Sequence, residues 1–159
     1  MCRLLIDAMV WNYIAKAGCL EGFIESLEIP AVILPRVADQ LQRAMSHWPE
    51  LASVLEAKDA GEIDCEELTS DEHLLQISLL DQHSGLGDVD CALLAVASER
   101  GWLLLTRDDR LSKVAGKLKI QQVELLGVID DAVDDGYLTD ADRLWVTYYS
   151  NGGSDRRVE

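Results

Sequence analysis

The sequence predicts an α/β domain with a central parallel sheet of about four or five strands. Three observations carry this expectation. The short continuous apolar runs Leu4–Ile6, Ala31–Leu34 and Trp102–Leu105 have the length and composition of strands buried on both faces. Stretches with apolar residues at helical spacing separate them, as parallel crossover connections require. No internal repeat, low-complexity tract or linker interrupts the 159 residues, a length that suits one domain.

The elements follow in order. Leu4–Ile6 is the first strand and ends in Asp7. Val10–Ala17 reads as a helix with Val10, Tyr13, Ile14 and Ala17 on one face, and Gly18 suits its C-terminal cap. Leu20, Phe23, Ile24 and Leu27 mark a second short helix. Ala31–Leu34 is a strand between Pro30 and Pro35, and Pro35 suits the first turn of the helix that follows. That helix carries Val37, Leu41, Ala44 and Met45 inward and stops before Pro49. Leu51–Ala60 is a further helix stopped at Gly61, and Glu62–Leu68 is acidic and ambiguous, with an edge strand one reading of it. Ser70 opens a helix with Asp71 and Glu72 in its first turn, where they suit the helix dipole; Leu74, Leu75, Ile77 and Leu80 continue it to His83. The loop Ser84–Gly87 delivers a long apolar helix, Asp88–Arg100, which Gly101 closes.

After the strand Trp102–Leu105 come a basic helix, Asp109–Lys117, a last strand over Ile120–Leu125, and a helix over Gly127–Asp134. Thr139 and Asp142 have the capping-box spacing and start a final helix through Tyr149. Residues 1–149 are expected to form a single domain, and 150–159, Gly-rich and then charged, a flexible tail.

A net charge of −15 argues against bulk attraction to nucleic acid or to an anionic membrane. The cations are uneven, however: Arg107, Arg110, Lys113, Lys117 and Lys119 share one short segment. Its plainer reading is a solvated helix face; the sharper one is a phosphate-binding edge beside a carboxylate pocket. Cys2, Cys19, Cys65 and Cys91 form no C-x-x-C pair and have no histidine cluster, which argues against zinc and against a disulfide framework. Asp7 interrupts any signal-peptide core, and no apolar run approaches membrane-spanning length. The expectation is a soluble cytoplasmic protein with reduced thiols and no membrane partner.

Three acidic clusters fall at element junctions: Asp7, Asp88 with Asp90, and Asp108 with Asp109. In a parallel sheet, function sits outside the carboxyl ends of the strands. Asp7 and Asp108 each come soon after a strand, and Asp90 opens a crossover helix whose N-terminus lies at the same edge. Asp7, Asp90 and Asp108 are therefore expected to converge. Any one of them alone has a better claim to a plain role, Asp88 as a helix cap and Asp7 in a turn. Three at independent junctions on one edge favour a site. Carboxylates without nearby histidine or cysteine are hard oxygen ligands, suited to Mg²⁺ or Mn²⁺ and to metal-assisted phosphodiester hydrolysis. No phosphate loop, nucleophile elbow or convincing calcium loop competes.

Leu4-Leu5-Ile6-Asp7, Asp90-Cys91-Ala92-Leu93-Leu94-Ala95 and Leu104-Leu105-Thr106-Arg107-Asp108 resemble the three acidic motifs of PIN domains, and Gly87-Asp88-Val89-Asp90 resembles a VapC-related branch. The resemblance runs from Leu4 to about Tyr137. It implies a three-layer α/β/α fold and a metal-dependent endoribonuclease, including the toxins of toxin–antitoxin pairs. Asp7, Asp90 and Asp108 would then be catalytic metal ligands for Mg²⁺ or Mn²⁺, with Asp39, Gln40 and Asp88 as further candidates. Thr106 and Asp109 would support them, and Arg107, Arg110 and Lys113 would take substrate phosphate. The implied partners are RNA, an antitoxin protein and a second copy in a homodimer. Two departures stand out. The family's glutamate one turn into the helix after the second strand falls at Gln40, with Asp39 beside it, and Ala8-Met9 replace the small polar residue after the first aspartate. The alternative reading is a catalytically impaired PIN-like module that binds RNA or a protein.

Overall fold

A buried sheet of five parallel strands organises the chain, in the order β3-β2-β1-β4-β5. The computed structural model describes residues 2–158. The strands are β1 (Leu4–Ile6), β2 (Ala31–Ile33), β3 (Asp64–Cys65), β4 (Leu103–Leu105) and β5 (Gln122–Val123). All residues of β1 and β2 are buried, which explains their unbroken apolar sequence. β3 and β5 are two-residue edges carrying polar side chains, a form that discourages further strand pairing.

The helices are α1 (Ala8–Lys16), α2 (Leu20–Ser26), α3 (Pro35–Ala44), α4 (Ala52–Asp59), α5 (Ser70–Gln82), α6 (Asp88–Arg100), α7 (Asp109–Lys117), α8 (Leu125–Asp134) and α9 (Asp140–Ser150). A 3₁₀ turn at Pro49–Leu51 precedes α4. One layer joins α1 to α3, α4 and α9, and α2 to α8; α5 packs on α6, and α6 on α7. The strand order reverses after β3, so right-handed crossovers put this second group on the opposite face. The result is the expected three-layer fold.

Local chemistry accounts for the boundaries. Gly101 takes φ 65° and closes α6, a conformation that costs glycine nothing. Thr69 with Glu72, and Thr139 with Asp142, form complete capping boxes. Trp11 meets Phe23 edge-on at 6.2 Å in the core of the first layer. Cys91 is fully buried on α6, a small core residue as its sequence suggests.

Three details refine the sequence reading. The last strand shrinks to Gln122–Val123, because Leu125 already belongs to α8. Leu74 and Ile77 are exposed, while α5 buries Glu72, Gln76 and Leu79. Those two polar side chains have partners on α6, so the inner stripe of α5 is partly polar. Among the described residues beyond Ser150, several reach back to the domain: Arg157 bonds Asp142 at 2.5 Å and the Ala17 carbonyl at 2.7 Å, and Tyr149 donates to the Asp155 carbonyl at 2.8 Å.

Candidate metal centre

The register of β1 against β4, Ile6 opposite Leu105, sets Asp7 beside Thr106 where both strands end. The Asp7 amide donates to the Leu105 carbonyl at 3.1 Å, carrying the ladder one step past the strand. Asp7 then caps α1: its Oδ1 accepts from the Ala8 amide at 2.7 Å. Its Oδ2 accepts from the Thr106 hydroxyl at 2.9 Å, and the Thr106 oxygen in turn accepts from the Asp108 amide at 3.1 Å. One hydroxyl, donor and acceptor at once, ties the ends of β1 and β4 together.

Asp108 caps α7 through Oδ1, which accepts from the amides of Arg110 at 2.8 Å and Leu111 at 3.1 Å. Asp90, in the first turn of α6, accepts from the Gly87 amide at 3.2 Å. The plain capping roles therefore exist, and Asp7 and Asp90 still feel the charge of neighbouring carboxylates. Burial pushes Asp7 above its usual range; the bonds from Thr106 and Ala8 oppose this, and the charges of Asp90 and Asp108 add to it. Burial likewise raises Asp90, the Gly87 bond opposes it, and Asp108 repels it. Asp7 is only 6% exposed, so its charge has little water to screen it.

The donor set fits a hard cation. It is all oxygen, it gathers like charges around the buried Asp7, and the oxygens of Asp7 and Asp90 that accept one bond each keep a second lone pair, while Asp108 keeps its Oδ2. Among the described residues, no three His, Cys, Asp or Glu side chains form a ready-made metal cage. Mg²⁺ does not require one: it keeps several waters and uses one or two carboxylates with substrate phosphates.

The other sequence candidates divide. Asp88 is tied elsewhere: Gln76 donates to its Oδ1 at 2.8 Å and to its carbonyl at 3.0 Å, and Arg36 pairs with its Oδ2 at 2.6 Å. Asp39 is exposed; its charge adds to the upward push that burial gives the Cys65 thiol and is not among the charges acting on Asp7 or Asp90. Gln40 is exposed one helical turn beyond Arg36. Arg107 is half-buried, close enough to Tyr13 to oppose the upward push that burial gives its phenol, to which Asp7 adds. Asp109, Arg110 and Lys113 are exposed on the first turns of α7.

Sequence reasoning missed Arg36, Gln76 and the place of Tyr13 beside Arg107. Arg36 left a signal. A cation in the first turn of a helix opposes the dipole and calls for a nearby anion, here Asp88.

Fold and acidic edge together define a nuclease-like α/β domain. A family model described as a PIN domain matches residues 3–146, and the chain belongs to the PIN-domain family. The fold also matches the crystal structure of PAE2754 from Pyrobaculum aerophilum with a TM-score of 0.56, at 18% identity over 83% of this chain and 96% of that one. At that identity the likeness speaks for the fold. No curated protein matches the chain. PIN domains are in general divalent-metal dependent. No helix among the described residues is long and apolar enough to cross a membrane.

Proposed function

We propose that this chain is a PIN-type endoribonuclease that works with Mg²⁺ or Mn²⁺. The observation that carries the reading is the Thr106 hydroxyl that ties Asp7, where β1 ends, to the Asp108 amide, where α7 begins, with the charge of Asp90 at the start of α6 reaching Asp7 as well. These three carboxylates would hold the cation. Bound there, it would activate water and steady the charge of an in-line phosphodiester displacement. Thr106 orients Asp7 from just beyond β4, so the hydroxyl sets which carboxylate lone pairs remain free. Arg107 lies beside the acidic edge, and Arg110 and Lys113 extend from it along α7; together they supply cations for an RNA phosphate. Asp109 adds charge at the start of α7, while Gln40 and Asp39 stand on the helix that would complete the ligand set.

Within this reading the site serves as the toxin of a toxin–antitoxin pair in the cytoplasm, with an antitoxin as its inhibitor. The exposed Leu74 and Ile77, one turn apart on α5, offer a second copy an apolar surface. The impaired-module alternative has its own support, the uncharged Gln40 and the net charge of −15. Purified protein with Mn²⁺ and a single-stranded RNA separates the two. Cleavage that stops in Asp108→Asn supports the nuclease; RNA retention without cleavage supports the module.

A further inference from the structure

We propose that an acidic cleft between α1, α2 and α4 docks an arginine-rich, partly apolar segment of a partner protein. The inference stands independently of the nuclease reading. The cleft encloses about 670 Å³. Leu20, Ile24 and Ala57 form its apolar floor, and Glu21, Glu50, Glu56 and Glu62 its rim, with no lysine or arginine in the lining. Among the described residues, only Glu50 of these four has an ion-pair partner.

That partner reveals the chemistry the surface accepts. Arg156, after Gly152 and Gly153, returns to bond Glu50, stacks on Trp48 at 4.7 Å and donates to the His47 carbonyl at 2.9 Å. Its notch adjoins the cleft and shares Gly18 and Glu50 with it. The chain thus seats one of its own arginines at one end of a groove whose other three glutamates have none. A partner segment with arginines spaced over a helical turn and leucines between them would meet Glu21, Glu56 and Glu62 with cations and the floor with apolar groups.

The position makes this useful. α1 starts at Asp7 and runs away from the acidic edge, and the cleft opens at its far end, at Ala15 and Gly18. A docked segment would leave the edge open. It would also give a chain of net charge −15 a cationic companion, and such a companion favours the approach of a polyanion.

The test uses the full chain and a fluorescein-labelled helical peptide of arginine, leucine and alanine, read by anisotropy. The cleft variant replaces Glu21, Glu56 and Glu62 with Gln. A control removes equal charge on the other layer through Asp71→Asn, Asp81→Asn and Glu99→Gln. All six side chains are exposed, so the fold should tolerate both sets. The expected result is binding by wild type and control, and an affinity about tenfold lower or worse in the cleft variant. Equal weakening in both variants would reduce the attraction to bulk charge and overturn the proposal. So would unchanged binding by the cleft variant, or no binding by wild type.

Discussion

Asp7 concentrates the chemistry of the site in one side chain. It caps α1, receives the Thr106 hydroxyl and lies buried within reach of the charges of two other carboxylates. Its folded-state pKa lies above the unfolded value, so the native state holds the proton more tightly. Stability from this group is therefore present at low pH and is lost as pH rises through the raised pKa. Asp142 and Glu72 act in the opposite sense, because their lowered values favour the fold at higher pH. The difference between wild type and Asp7→Asn isolates the first effect. Without added metal, thermal denaturation across pH should show the variant gaining relative stability from about pH 4 upward, the ordinary aspartate value being 3.8. A constant difference would mean that Asp7 is not under strain. Asp7, Asp90 and Asp108 were legible in the sequence because each stands near the end of an apolar run or at the start of a helix. The tie on Asp88 was not, since Gln76 and Arg36 reach it from separate helices.

At the scale of elements, α5 and α3 decide how the acidic edge is framed. α5 turns Glu72 and Gln76 inward, where Arg100 bonds Glu72 at 2.7 Å and Gln76 anchors Asp88. The apolar residues of α5 marked it as a helix without fixing its orientation, since a buried polar pair is invisible until its partners are placed. Gln76→Met keeps the length of the side chain and loses both bonds to Asp88, so urea denaturation should find a cost of about 1–3 kcal/mol. No change would mean that water serves Asp88 equally well. α3 offers the second test. Gln40→Glu adds an anion of similar shape, and tighter Mn²⁺ binding with faster RNA cleavage is expected from it. If Asp39→Asn alters Mn²⁺ affinity and Gln40→Glu does not, the helix serves the site one residue earlier. If neither does, α3 lies outside the ligand set. The ambiguous stretch before α5 resolved into a two-residue edge strand, too short for any alternation pattern to reveal.

The whole molecule joins a five-stranded parallel sheet to a net charge of −15, with its acidic edge where the central strands end. The layers were readable from the alternation of apolar runs and helical periods. The return of Arg156 and Arg157 was not, because a glycine-rich segment followed by charges reads as a tail until the carboxylates that receive it are located. The central claim is that the three carboxylates form a cation site, and Mn²⁺ titration of thermal stability tests it most directly. Binding to the native state should stabilise the wild type by about 2.7 kcal/mol at a hundredfold excess over Kd. Asp90→Asn removes one of the repelling charges, so without metal it should be at least as stable as wild type and should gain much less from Mn²⁺. Equal Mn²⁺ shifts in Tm for the two proteins would contradict the account.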